Sequence, residues 1–411
     1  MSSTKDAFFA GARRDLAGPL DGVRVIEATT TWAGPMCGCI LADFGADVVK
    51  VELPGGEMAR RAPPHLPGTD PPVSFMHATV NRNKRSLTLD LRRPEGRDAF
   101  LRLAARADVV VENFRPGVMD GYGLGWDGVR AVKRDAIYVS ISGFGQFGPD
   151  ADRAGYDPLA QAASGFLSLN GSPGGEPVKA PTFLADDLGG LHAALATLAA
   201  LRHRDRTGEG QRIDVSLLDA MLFQSTGYLT LGALGVELPR LGNEFRIAAP
   251  ARVYACRDGD VMAGVILDAH WRKLVGLMQR PELADDVRYA TTAARIQRRA
   301  EVDALLADWL AQQDVAGAVA ALLGAGLPIA PVRSYAEAAA DPHVREREML
   351  QDVVQEDGST QPITGPAAKL SRTPVRVRTG APALGAHSDE VLREAGFDAA
   401  AIAELRKLGV V

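Results

Sequence analysis

Cysteine is scarce. Cys37, Cys39 and Cys256 are the only three in a chain of 411 residues, too few for a disulfide framework, and C-x-C with no histidine nearby has the wrong spacing for a zinc site. They are expected to be small buried hydrophobes. With seven histidines in all, no metal cluster is expected. Charge of one sign is also lacking: 46 Lys and Arg against 51 Asp and Glu leave a net charge of −5 with no long block of either sign. Nucleic acid and anionic membranes are therefore not expected as partners. No apolar run approaches the ~20 residues of a bilayer span. The opening MSSTKDAFFAGARRDLAG mixes acids and bases without the apolar stretch of a signal peptide, so a cytoplasmic location is the expectation.

Familiar nucleotide and hydrolase motifs are missing too. The first strand-to-helix turn has no G-x-G-x-x-G, and G-x-x-x-x-G-K-[ST] occurs nowhere, which disfavours a dehydrogenase or a P-loop ATPase. Without G-x-S-x-G or H-E-x-x-H, an α/β-hydrolase or a zinc protease is disfavoured as well. No internal repeat is found.

What is present is an ordinary globular composition, 46% hydrophobic and 24% charged. The length suggests about two to three domains. Gly22–Ala28 (GVRVIEA) is a β-branched run, followed by a TTTWAGP turn, a helical MCGCILADFGA and a second strand at Asp47–Glu52. That is a βαβ unit. It recurs as NKRSLTLDL, then PEGRDAFLRLAARA with Pro94 in its first turn, then DVVVEN and AIYVSISGFG, which together predict a doubly wound α/β sheet. A long Ala/Leu-rich helix opens at Asp186 and stops at TGEG, ahead of the strand QRIDVSL and an apolar segment from Leu217 to about Leu234.

The pattern changes near residue 225. From there to about 332 a strand pair turning at Asp258-Gly259 and three helical segments ending in LLGAGLPIAPV predict a smaller α+β domain. Residues 333–411 add a hairpin-like DVVQEDGSTQPI around Asp357-Gly358 and a last helix near Asp398–Leu408. The expected organisation is thus residues 1–224 as a large α/β domain, 225–332 as the small domain, and 333–411 as a return to the large one.

Ligands of open α/β sheets bind in turns at the strand ends, and several such turns here are polar. NRNKRS (Asn81–Ser86) carries three cations, and ENFRPG (Glu112–Gly117) places Arg115 just beyond a buried strand. Cationic turns suit phosphates, or they are simply solvated loops. RAGYDPLAQ (Arg153–Gln161) joins a cation, an aromatic ring and a carboxylate. Asp186 and Asp187 open the long helix, where a carboxylate suits an N-cap. The alternative is a carboxylate nucleophile beside Gly189 and Gly190, close enough to attack a thioester.

Taken in order, AGP (Ala33–Pro35), LADFGADVVKVE, NRNKRS, LDLRRPEG, VENFRPG, GYDPLAQAASG, D-x-x-x-G-x-H (Asp186, Gly190, His192) and RTGEGQRIDVSLLDAM make the chain similar to the class III coenzyme A transferases. The resemblance runs from Pro19 to the C-terminus. It implies two ring-like subunits threaded through one another in a homodimer, each with a Rossmann-like large domain and a small domain. It also implies an aspartate nucleophile four residues before a glycine and six before a histidine, spacings that Asp186 meets and Asp187 does not. Acyl-CoA and carboxylic acids would be the substrates, with coenzyme A carried as a substrate and no permanently bound cofactor or metal.

By matching positions, the resemblance assigns coenzyme A contacts to Trp32, Ala33, Leu53, Leu89, Asp90, Leu91, Arg92, Asn113, Phe114 and Arg115, and to the segment holding Arg153, Tyr156 and Asp157. Compared with formyl-CoA transferase, Trp32 replaces Gln, Leu53 and Gly121 replace Arg, and RLGNEFRIAAP stands where a glycine-rich loop would be. The chain is more similar to succinyl-CoA-dependent transferases of dicarboxylic or hydroxy acids, with Arg246 or Arg61 as a partner for a distal carboxylate. The α-methylacyl-CoA racemases share the fold, but have His where Tyr156 stands, and a phenol is a poor base at neutral pH. A coenzyme A-binding homologue without turnover is the remaining alternative.

Overall fold

In the computed structural model, residues 4–355 and 358–411 are described. They form two compact units. The first comprises the chain up to Phe166, Lys179–Val236 and His343–Val411; the second comprises Leu167–Val178 and Glu237–Pro342.

The first unit is built on six parallel strands: β1 (Arg24–Ala28), β2 (Asp47–Glu52), β3 (Lys84–Thr88), β4 (Val109–Glu112), β5 (Ile137–Ser142) and β6 (Gln211–Ser216). Their order is β3-β2-β1-β4-β5-β6. Covered on both faces, the central strands read as near-continuous apolar runs: Val109, Val110 and Val111 are all fully buried. Each such valine contributes roughly 1.5–3 kcal/mol by leaving water.

Five helices matter for the site: α1 (Ala33–Asp43), α2 (Pro94–Ala104), α3 (Asp157–Ala163), α4 (Leu184–Thr207) and α5 (Leu217–Phe223). Phe100 and Leu103 of α2 pack on one face of the sheet with Leu87 and Val110; Leu41 of α1 and Ala193 and Leu201 of α4 pack on the other with Val25 and Val139. Helix α4 ends where Gly208 takes φ 76 and its amide bonds Arg204 O at 2.7 Å. Against the expectation of no spanning-length apolar run, α4 is long and apolar enough to cross a membrane on those two criteria alone. Here it is a core helix of the first unit.

The C-terminal stretch closes onto the same unit. Asp90 N bonds Val410 O at 2.8 Å, Arg378 reaches Ala42 O at 2.8 Å, and Val391 and Leu392 join the core beneath α2. The expected hairpin is present as Leu350–Val354 paired antiparallel with Thr360–Thr364; Asp357 of its expected turn lies outside the described residues.

The second unit has an antiparallel sheet of Ala251–Ala255, Asp260–Gly264 and Ile329–Pro331, with four α-helices between its second and third strands. Trp271, Leu274, Val302 and Leu306 fill its core. The sequence pattern carried three helical segments through to LLGAGLPIAPV. In the structure the last helix stops at Gly324, and Ile329–Pro331 pairs with the second strand instead.

Candidate active site

Strand order reverses between β1 and β4, where the two following turns diverge to opposite faces and leave a crevice at the strand ends. A cleft of about 600 Å³, mouth included, lies there. It is lined by Thr30–Ala33 after β1, Asn113–Pro116 after β4, Ile141–Gly143 at the end of β5, and Arg153, Gly155, Tyr156, Asp186 and Leu217. Eight of the residues named from sequence therefore share one cleft: Trp32, Ala33, Asn113, Phe114, Arg115, Arg153, Tyr156 and Asp186.

The others lie elsewhere. Asp157 is buried and does not line the cleft. Leu53 is exposed after β2, and Leu89–Arg92 follow β3 on the far side of β1, with Leu89 and Leu91 in the hydrophobic core and Arg92 paired to Asp90 at 2.8 Å. The NRNKRS turn is neither a solvated loop nor a free phosphate cradle. Its Arg82 is bound to Asp43 at 2.6 Å, Lys84 to Glu27 at 2.7 Å and Arg85 to Asp47 at 2.6 Å.

Neither Asp186 nor Asp187 caps α4. Phe183 is the N-cap residue and offers no side-chain bond. The carboxylate of Asp157, itself the first residue of α3, supplies the cap: Oδ1 accepts Ala185 N at 2.7 Å and Asp186 N at 3.4 Å, while Oδ2 accepts Gln161 Nε2 at 2.7 Å. Asp187 accepts the indole N–H of Trp32 at 2.7 Å. Among the described residues, the carboxylate of Asp186 alone of the three has no hydrogen-bond donor.

Burial, then the neighbouring carboxylates of Asp157 and Asp187, push the Asp186 carboxyl up to about 7. Burial also raises Asp187, partly offset by the Trp32 bond. A partly desolvated carboxylate without donors is a better nucleophile than one in water, and this one lines the cleft. Two exposed guanidiniums, Arg115 and Arg153, line the same cleft and suit an anionic ligand.

Close packing holds these parts in place. A Cβ on Gly190 would come 2.8 Å from Ala33 O, so this glycine lets α4 lie directly on the start of α1. Gly143 and Gly155 face each other so closely that a Cβ on either would lie within 2.3 Å of the other's Cα. Asn113 clips the β1 turn, accepting Thr30 N at 2.8 Å and donating to Thr30 O at 2.9 Å. Thr31 is left-handed at φ 66, a strained conformation for a β-branched residue and one that collects at functional sites.

Sequence reasoning missed what lies under this turn. Lys50 Nζ bonds Thr29 O at 3.0 Å and pairs with Glu57 at 3.2 Å; Glu57 accepts Thr31 N at 2.6 Å; Lys84 holds Glu27 at 2.7 Å and Asn81 at 3.0 Å. A signal was available: Lys50 interrupts the apolar run of DVVKVE, and a lysine in a strand buried on both faces requires a partner.

Residues 20–388 match the family described as CoA-transferase family III. The chain is 40% identical over 385 residues to the succinate–glutarate CoA-transferase of Agrobacterium fabrum, covering 92% of this chain and 95% of the relative. It is 40% identical over 387 residues to the succinyl-CoA:mesaconate CoA-transferase of Haloarcula hispanica, covering 92% and 97%. Among solved structures, a CaiB/BaiF family protein from Brucella suis superposes with a TM-score of 0.82 at 36% identity, covering 92% of this chain and 99% of that one.

Proposed function

The chain belongs to CoA-transferase family III, and from that premise we propose that it moves coenzyme A from succinyl-CoA to a dicarboxylic acid, with the Asp186 carboxylate as nucleophile. It is a CoA-transferase, and the family's substrates are CoA esters. The observation that carries the nucleophile is the carboxylate of Asp186, half-buried, lining the cleft and without a donor among the described residues, beside two carboxylates that have theirs.

In the proposed sequence an Asp186 oxygen attacks the donor thioester carbonyl, and the C–S bond breaks to give a mixed aspartyl anhydride and CoA thiolate. The thiolate attacks the aspartyl carbonyl, releasing the donor acid as its carboxylate and leaving an aspartyl-CoA thioester. The acceptor carboxylate then attacks that thioester, forming a second anhydride and freeing the thiolate again. Attack of the thiolate on the acceptor carbonyl yields the product thioester and restores the Asp186 carboxylate. No net proton, electron or water is consumed. Arg115 and Arg153 at the cleft are the proposed partners for anionic groups of coenzyme A, with Asn113 fixing the turn beside it. Trp32, Ala33, Phe114 and Tyr156 line the same walls.

The reading extends to a threaded homodimer of ring-like subunits. Its support is the resemblance, together with large apolar side chains left uncovered on the first unit: Leu191 and Leu195 one turn apart on α4, Phe223 at the end of α5, and Leu229 and Leu234 beyond it. A monomer by light scattering would contradict it.

The test of substrate is incubation with succinyl-CoA and a panel of dicarboxylic, hydroxy and aromatic acids, followed by mass spectrometry of the CoA products. A new dicarboxylyl-CoA is expected. Exchange confined to monocarboxylic or aromatic acceptors would overturn the dicarboxylate assignment.

A further inference from the structure

Four charged side chains lie buried beneath the turn that follows β1. Glu27 and Lys50 are fully inaccessible, and Lys84 and Glu57 are nearly so. Lys84 Nζ lies 2.7 Å from Glu27 Oε1, which lies 3.6 Å from Lys50 Nζ, and Lys50 in turn lies 3.2 Å from Glu57. Two carboxylates and two ammonium groups thus make a neutral chain across β1, β2 and β3. Such a cluster is expensive to bury, and apolar residues of similar volume would commonly be as stable or more so. Stability alone is a weak reason for it.

Its outlet explains it better. The chain ends on backbone: Lys50 Nζ bonds Thr29 O at 3.0 Å, and the second oxygen of Glu57 accepts Thr31 N at 2.6 Å. Asn113 holds Thr30 from the opposite side through both its amide and its carbonyl. Every residue from Thr29 to Thr31 is therefore pinned, and Thr31 is kept left-handed. The next residue is Trp32, whose indole N–H lies 2.7 Å from Asp187 and whose ring packs on Phe183 with centroids 5.0 Å apart.

We propose that Glu57 is a positioning residue for the transfer reaction: ion-paired to Lys50, it fixes Thr31 and so holds Trp32 against Asp187, setting the wall of the cleft beside Asp186. The proposal rests on Asp186 as the nucleophile. Glu57 is distant in sequence from every residue lining the cleft and needs no contact with substrate. A misplacement of about 1 Å at a reacting group costs up to ~100-fold in rate, so a clamp of this kind acts on kcat.

The test compares Glu57→Leu and Glu57→Gln with the unaltered protein, in exchange kinetics and in the ¹⁵N-indole spectrum of tryptophan-labelled enzyme, where each of the four tryptophans gives one signal. Assignment of Trp32 comes from Trp32→Phe. Glu57→Leu is expected to lower kcat about 10- to 100-fold with little change in KM for the acyl-CoA, and to move the Trp32 signal while those of Trp126, Trp271 and Trp309 stay. Glu57→Gln keeps an acceptor for Thr31 N and is expected to recover most of the rate. If Glu57→Leu does not fold, Glu57→Gln still decides, through a smaller loss of kcat and a smaller displacement of the same signal. A folded Glu57→Leu with normal kcat, a loss seen only in KM, or an unmoved Trp32 signal would overturn the proposal. Asp186→Asn, assayed alongside, separates the two readings: activity surviving there defeats the nucleophile, whereas the indole spectrum judges the clamp without reference to turnover.

Discussion

On one side of the Thr29–Thr31 turn, Glu27 and Glu57 share the interior with Lys50 and Lys84; on the other, Asp157, Asp186 and Asp187 gather with no cation among their hydrogen-bond partners in the described residues. The first pair is buried, as is Asp157, while Asp186 and Asp187 are half-buried. In the first, every charge is matched and the cluster serves as a brace. In the second, Asp157 is spent on the α4 amides and Asp187 on the Trp32 indole, so the unfavourable field falls on Asp186, whose affinity for a proton rises. Burial without compensation is how a protein keeps a carboxylate reactive, and burial with compensation is how it keeps a loop still. The two lie within one βα turn of each other.

The sharpest break of this contrast is at Asp186. Asp186→Asn preserves size and removes the nucleophile; kcat for exchange is expected to fall by about 1,000-fold or more, while calorimetry finds coenzyme A binding within a few-fold of normal. On the compensated side, Lys50→Met strands Glu57 and Glu27 with one ammonium fewer, and denaturant melts are expected to register about 3–5 kcal/mol of destabilisation. Replacing Lys50 and Glu57 together by Met and Leu is expected to restore part of that stability but not the rate. Asp157→Ala removes a cap, at about 0.5–2 kcal/mol, with a fall in kcat because Asp186 sits in the first turn of the uncapped helix. Asp157→Asn, which keeps one acceptor oxygen, is expected to be milder in both.

The smallest effects are in pH. Transfer needs the ionised Asp186, so kcat/KM is expected to rise with pH and level off above about 7. Asp187→Asn leaves Trp32 an acceptor but deletes one repelling charge, and is expected to move that rise to lower pH. Linkage has the opposite sign for stability. Because the folded carboxyl holds its proton up to about 7 and the unfolded one only to about 4, its contribution is complete below the unfolded value and is lost as pH rises through the folded one. Asp186→Asn is therefore expected to match the unaltered protein in melting temperature at pH 4 and to exceed it at pH 8. Equal melting temperatures at both would mean that Asp186 is not strained.

Much of the sheet was legible because its strands bury both faces. DVVKVE spans Asp47–Glu52 in the sequence pattern and in the structure alike, and TGEG marks the end of α4 at Gly208. The short strand Ile329–Pro331 was not, since three residues carry no periodicity and their pairing is to a strand more than sixty positions away. The family resemblance singled out Asp186 through its spacing to Gly190 and His192, but its surroundings could not be read locally: the cap of α4 comes from Asp157, and the charges of NRNKRS find Asp43, Glu27 and Asp47 only after folding. A cationic turn in sequence looks the same whether its partner is a ligand or the protein's own interior.

The proposed transfer depends most directly on a covalent aspartyl intermediate. Enzyme mixed with succinyl-CoA and quenched with hydroxylamine, then digested and sequenced by mass spectrometry, is expected to carry a hydroxamate on Asp186, and on no other acidic residue. New acyl-CoA formed without that hydroxamate, or with it on Asp187 or Asp157, would contradict Asp186 as the nucleophile.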